Sequence, residues 1–216
     1  MAAEKRGVAA DVRAAAFLDR DGVINIDHGY TVAIKDFEFV PGALDACRLL
    51  AQAGYALVVV TNQSGIGRGL YTAQEFSTLT EWMRAQFSAA GAPLAGVYHC
   101  PHHPTEAEGE FLRECSCRKP APGMLLDAAR DLNLDLSRSV MFGDRATDLE
   151  AARAAGVPHR VLLGTNGTRA PLEDLPAGLA TARHRSLLQA ATELTMKKSG
   201  SGTDFEKSVP DPDFLR

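Results

Sequence analysis

No apolar run in this 216-residue sequence is long enough to cross a membrane as a helix, which takes about 20 consecutive apolar residues. The N-terminal stretch MAAEKRGVAADVRAAAFL has some features of a leader, but Asp11 and Arg13 interrupt it, and its apolar run is too short for the core of a signal peptide. A strong charge of one sign is missing too, since the net charge is −4 and the isoelectric point about 5.9. Without a basic excess, nucleic acid is not the expected partner, and an anionic small molecule has to be met by cations gathered locally. There is no internal repeat. Cysteine is scarce, four residues in all, and three of them crowd into residues 100–117. These absences predict a cytoplasmic chain with neither membrane nor nucleic-acid partners. In that compartment thiols stay reduced, and cysteine clusters hold metal more often than they form disulfides. With 45% hydrophobic residues the chain can bury one sizeable core.

The most telling stretch present is AAAFLDRDGVIN, residues 14–25, where a short apolar run ends in Asp19 and Asp21. Two carboxylates crowded at the end of a buried strand repel each other, so the pair calls for a divalent metal, a proton, or both. Asp-x-Asp-Gly is equally the sequence of a surface turn, and the motif alone does not decide.

Beyond it, apolar runs alternate with amphipathic ones. AAAFL, YALVVV, GVYHC, SVMFG and RVLLG read as strands, while 41–53, 72–90, 122–132 and 147–155 have helical spacing, with Gly54, Gly91 and Gly156 as stops. Near-continuous apolar strands separated by helices predict an α/β fold, a doubly wound, Rossmann-like parallel sheet with helices on both faces. Such sheets bind ligands at the carboxyl ends of their strands, and polar residues cluster there. Asp19 and Asp21 follow the first strand, Thr61 and Asn62 the second, and Gly143 and Asp144 a later one. Residues 14–195 are expected to form one domain, with an extension at 1–13 and a flexible tail at 196–216, rich in Ser, Gly, Asp and Pro.

DRDG, VVVTNQSG, the lysine of RKP and GDRATD each end a strand or open a helix. Together and in this order they resemble the four signature motifs of the haloacid dehalogenase superfamily, from Ala14 to about Leu163. The resemblance implies that Asp19 is a nucleophile attacking phosphorus to form an aspartyl-phosphate, and that Asp21 protonates the leaving oxygen and then activates water. The chemistry asks for the same residue types, because a carboxylate attacks an anionic phosphate only where the site neutralises charge and aligns the groups. Magnesium suits this role through its preference for oxygen ligands, with Asp19, the Asp21 backbone carbonyl and Asp144 as the expected set. Lys119 adds a compact positive charge on a phosphoryl oxygen, and Thr61 and the amides after it donate hydrogen bonds. Asp148, one helical turn beyond Asp144, reaches the metal through water, orients Lys119, or is simply a charge at a helix N-terminus.

A second constellation is Cys100-Pro-His102 with Cys115-Ser-Cys117, bracketing a polar loop. Three thiols and an imidazole make a closed set of four ligands for structural zinc, without the open position that a catalytic zinc keeps. The alternatives are chance clustering of reduced cysteines, or His99 or His103 in place of His102. Cys47, mid-helix among apolar residues, reads as core. The zinc loop, 100–117, runs directly into Arg118 and Lys119, so metal there would fix where these two cations project.

A loop of this kind in place of a large cap resembles one narrow branch of the superfamily, whose members act on heptose 1,7-bisphosphates and on histidinol phosphate. IDHGYT, FEFVPG, VVVTNQSGIGRG, LTEWM, CPHHP and CRKPAPGMLL carry the likeness to the heptose side. It implies release of the C7 phosphate while the C1 phosphate is retained, a step toward nucleotide-activated heptose for lipopolysaccharide. Asp27, His28, Gly29 and Tyr30 would line the sugar end, and Thr61, Asn62, Gln63 and Ser64 would contact the phosphate and sugar hydroxyls. Arg118 would hold the distal phosphate through its planar fork, and Arg145 would make a contact of unassigned geometry. Asp27 and His28 also read as plain turn residues before Gly29. A histidinol-phosphate or other sugar-phosphate phosphatase is the neighbouring alternative, and a zinc-stapled binding module without catalysis is a third. A small, cap-free enzyme of this type is expected to be a monomer.

Overall fold

The computed structural model describes residues 12–164 and 175–199, and the structural statements here concern those residues. Six strands, β1 (Arg13–Leu18), β2 (Ala56–Asn62), β3 (Leu94–Cys100), β4 (Leu134–Gly143), β5 (His159–Leu163) and β6 (Ala182–His184), form one sheet. Their order is β3-β2-β1-β4-β5-β6 and every neighbouring pair is parallel. The helices are α1 (Ala43–Gln52), α2 (Ser64–Gly67), α3 (Ala73–Ala89), α4 (Gly123–Leu132), α5 (Ala146–Ala154) and α6 (Leu187–Ser199). None of them is long and apolar enough to cross a membrane. This is the doubly wound α/β architecture expected from the alternating runs.

Strand alternation explains why β1 reads as uninterrupted apolar sequence. Successive side chains point to opposite faces. Ala16 and Leu18 join Leu57, Val59 and Phe142 in a core with α1, α3 and α6. Ala15 and Phe17 join Val58, Val60 and Met141 in a second core with α4 and α5. Both faces being covered, each large β1 side chain contributes about 1.5–3 kcal/mol by burial. Helix starts are signalled locally. Thr72 Oγ1 accepts from Glu75 N, and Glu75 Oε2 accepts from Thr72 N, closing a capping box that opens α3.

Three elements escaped the sequence reading, the four-residue α2, β6 and α6. Three residues give β6 too little alternation to stand out, and it pairs only at the sheet edge with β5. Helix α6 packs its Leu187, Ala190, Ala191 and Leu194 against the α1 face and runs to Ser199. The first four residues of the expected tail, 196–199, are helical. Residues 200–216, like 1–11 of the expected extension, lie outside the described part. Strand β4 also starts earlier than SVMFG, at Leu134, where it pairs with Arg13 before an irregularity in register.

Candidate active site

Parallel register brings the chemistry together. Leu18 lies level with Val59 of β2 and Phe142 of β4, so the residues after all three meet at one edge of the sheet. Asp19 N–H donates to Phe142 O at 3.1 Å, tying the end of β1 to β4 where the strand order reverses. That reversal is the place where open α/β sheets bind ligands. Gly22 turns the chain at φ +87°, and a Cβ there would stand 2.2 Å from Asp144 Oδ2, so only glycine lets the DRDG turn and the Asp144 carboxylate share this space.

Lys119 is the hub. Its Nζ lies 2.8 Å from Asp19 Oδ1 and 2.5 Å from Asp148 Oδ1, and it donates to Val60 O at 2.8 Å. All three ammonium hydrogens are thus engaged. Burial alone would pull the amine down, but the Asp148 and Asp19 charges outweigh it and hold the ammonium above its ordinary range. Asp148 resolves the three readings given for it in part. One oxygen takes Lys119, and the other accepts Arg145 N–H at 3.1 Å, capping α5.

The carboxylates around this single cation are crowded. Oxygens of Asp19, Asp144 and Asp148 come within 4.8 Å of one another. Burial, with the neighbouring carboxylates adding to it against Lys119, raises Asp19 to about 7. Burial, then Asp19 and Asp148, raises Asp144 to about 8. Asp144 Oδ1 is buried without a hydrogen-bond partner. An orphaned carboxylate oxygen beside a second acidic group, both titrating high, is an arrangement that a divalent cation would relieve.

The cavity above them has a volume of about 360 Å³. Asp19, Asp21, Asp27, Gly29, Tyr30, Thr61, Asn62, Gln63, Ser64, Arg118, Lys119 and Arg145 all line it, as do His103, expected only as an alternative zinc ligand, and Arg68, Tyr71 and Thr147, which the sequence reading did not single out. His28 does not. Its ring is half exposed, 3.5 Å from Glu38 Oε2, in a separate open depression formed by residues 28–38. Gly29, at φ +78°, and Tyr30 border both hollows, whereas His28 borders only the outer one. Asn62 and Gln63 line the cavity and also bind protein groups. Asn62 exchanges two hydrogen bonds with the Lys119 backbone, 3.0 Å to its N–H and 3.1 Å to its C=O. Gln63 donates to Thr61 Oγ1 at 2.8 Å and to Asp21 Oδ2 at 2.9 Å, and accepts from Tyr71 at 2.5 Å. Both amides hold protein groups in position.

Four cations face or border the cavity. Arg145 pairs with Asp27 at 3.0 Å, and Arg118 donates to His102 O at 3.2 Å. Arg68 stacks over the Tyr30 ring, 5.7 Å from its centroid, and contacts both the Tyr30 hydroxyl and the Glu106 carboxylate. Together with Lys119 they supply the local positive charge that an acidic chain needs to bind phosphate.

At the rim, Cys100, His102, Cys115 and Cys117 converge. The three sulfurs are 3.2–3.6 Å apart, and His102 Nδ1 lies 3.6 Å from Cys100 and 3.3 Å from Cys117. A tetrahedral zinc with bonds of about 2.3 Å spaces its sulfurs roughly 3.8 Å apart, close to the edges seen here. His99 points elsewhere, its ring 4.5 Å from Phe76, and His103 Nδ1 accepts from Glu106 N–H at 3.0 Å. Cys47 is buried in the α1 core, as expected.

A parallel sheet with this order, carrying crowded carboxylates and a buried lysine at its switch point, defines a haloacid-dehalogenase-like hydrolase. The HAD-hydrolase-like family model matches residues 116–189. The D-glycero-beta-D-manno-heptose-1,7-bisphosphate 7-phosphatase of Yersinia pestis is 52% identical over 151 residues, covering 70% of this chain and 80% of the relative. That of Vibrio cholerae is 48% identical over 167 residues, covering 77% and 88%. A crystal structure of D,D-heptose 1,7-bisphosphate phosphatase from B. bronchiseptica, complexed with magnesium and phosphate, superimposes with a TM-score of 0.73 at 34% identity, covering 85% of this chain and 99% of that one. The chain belongs to this family of heptose-bisphosphate phosphatases.

Proposed function

We propose that the protein removes the C7 phosphate of D-glycero-beta-D-manno-heptose 1,7-bisphosphate, through an aspartyl-phosphate formed on Asp19. The observation that carries the reading is Lys119 paired with Asp19 and Asp148 in a cavity rimmed by three arginines, with the buried Asp144 carboxylate close beside those two. Relatives about 50% identical supply the substrate and its anomer.

Asp19, Asp144 and the Asp21 backbone carbonyl would hold magnesium, and the orphaned Asp144 oxygen fits that assignment. Bound there, the ion offsets the carboxylate and phosphate charge and fixes the phosphoryl group for in-line attack. Because the Lys119 hydrogens are all engaged, an arriving phosphoryl oxygen is met by exchange. One donor turns from Asp19 to the substrate, which frees that carboxylate to attack. Asp21 delivers a proton to the C7 oxygen as it leaves and takes one from water in the second step. Asn62 fixes the Lys119 backbone, and Asp148 fixes its amine. Arg118 and Arg68 lie where a distal phosphate can be gripped, and guanidinium forks suit that task better than lysine.

Zinc at Cys100, His102, Cys115 and Cys117 fits the cluster geometry and would anchor the peptide that leads into Arg118 and Lys119. Metal on His102 Nδ1 leaves the ring proton on Nε2, so Arg113, whose Nη2 lies 2.8 Å from Nε2, has to turn outward on loading. Residues 14–195 then act as one catalytic domain, with the zinc loop in place of a cap.

Phosphate release from the two anomers of heptose bisphosphate and from histidinol phosphate tests the reading. Preference for the beta bisphosphate is expected, and equal turnover of histidinol phosphate would remove it.

A further inference from the structure

Arg20, the residue between the two aspartates, has the largest fully buried side chain in the described structure, 2% exposed. A guanidinium is buried only where its donors are met. Here Nε lies 3.2 Å from both Asp21 oxygens and Nη2 2.9 Å from Oδ1, the two parallel bonds of a fork on a carboxylate. Nη2 also donates to Thr31 O at 3.0 Å, at the base of the loop that carries Asp27 and Tyr30 into the cavity, and the Phe76 ring lies 5.8 Å away. Asn25 Nδ2 at 3.0 Å and Gln63 Nε2 at 2.9 Å complete the set around Asp21.

We infer that Arg20 is the positioning residue that aims Asp21 at the leaving oxygen, and that it ties this aim to the substrate loop through Thr31. The inference rests on the reading of Asp21 as acid and base given above. With the carboxylate pinned on the Arg20 side, Asp21 keeps one orientation toward the cavity through both half-reactions, first giving its proton to the sugar oxygen and then taking one from water. Lysine cannot replace Arg20, because a single ammonium lacks the second parallel N–H and cannot reach Asp21 and Thr31 in one plane.

The test compares two leaving groups in the magnesium-supplied enzyme. Heptose 1,7-bisphosphate expels an alkoxide-like oxygen that needs the proton, whereas p-nitrophenyl phosphate expels a phenolate that does not. First-turnover release is measured for the wild type, Arg20→Lys, Phe76→Leu and Asp21→Asn. Arg20→Lys is expected to lose about 100-fold on the sugar, within the range for general acid catalysis, and under about threefold on the nitrophenyl ester. Phe76→Leu, which loosens the guanidinium from outside the hydrogen-bonded set, shifts the same ratio severalfold in the same direction. Equal losses on both substrates in Arg20→Lys, with Asp21→Asn still discriminating, overturn the role of Arg20. Should Arg20→Lys not fold, an unchanged ratio in Phe76→Leu overturns it. If Asp21→Asn itself does not discriminate, the underlying reading of Asp21 fails instead.

Discussion

Replacing Gly22 by alanine separates the cost of a turn from the cost of a displaced carboxylate, because Gly54 supplies a matched control. Both glycines have φ +87°, but a Cβ at Gly54 meets nothing within 4 Å, whereas at Gly22 it meets Asp144 Oδ2 at 2.2 Å and Cγ at 2.8 Å. Left-handed backbone costs a residue with a Cβ roughly 1–2 kcal/mol, a term both variants share. For a chain of this size that lowers Tm by about 2–8 °C. Gly22→Ala also has to push the Asp144 carboxylate aside, since it is the movable end of the contact. Disturbing the support of a metal ligand typically weakens affinity about 10–100-fold, or about 1.4–2.8 kcal/mol. Phosphate release measured across a magnesium titration, with thermal unfolding alongside, reads both terms. Gly54→Ala should unfold earlier with an unchanged magnesium requirement. Gly22→Ala should need about 10–100-fold more magnesium for half-maximal rate. A Gly22→Ala enzyme whose magnesium dependence matches that of Gly54→Ala would refute the placement of Asp144 in the metal site.

The raised values of Asp19, about 7, and Asp144, about 8, set a pH signature for the chelator-treated protein. Both lie above the unfolded value of 3.8, so the folded chain holds protons that the unfolded chain releases, and metal-free stability should decline as pH rises from about 4 through 8. Magnesium competes with those protons, so its gain in Tm should grow between about pH 6 and 9, and calorimetry showing a pH-independent gain would contradict it. Elemental analysis should find one zinc per chain, and Cys115→Ser should lose it and unfold several degrees earlier. Retention of zinc by that variant would exclude the four-ligand set.

The architecture was legible because β1 and β2 are buried on both faces and so read as unbroken apolar runs, AAAFL and YALVVV. What the runs could not carry was β6, whose three residues have no period to detect, and α6, which lies beyond the motifs. The site was legible as a list of residue types at strand ends, since parallel register brings Asp19, Thr61 and Asp144 to one edge. Its wiring was not. Asn62 and Lys119 are 57 positions apart and Gln63 and Asp21 are 42 apart, and no spacing rule tells an amide to bind a distant backbone or side chain. Arg20 was passed over because arginine between two aspartates looks like local charge balance, and only its burial shows that the fork is enclosed. His28 stands apart because its half-exposed ring turns toward Glu38, a contact that the string IDHGYT does not reveal.

The strand order also sets a timetable. Strand β1 is made first yet sits at the centre, and its second neighbour, β4, begins only at Leu134. On a ribosome adding about 5–20 residues per second, β3-β2-β1 can assemble while the inner edge of β1, with Asp19 at its tip, stays open for several seconds. An open apolar edge is a place where chains join one another. The aspartates at the end of β1 therefore place repelling charge on the one strand tip that waits longest for its partner.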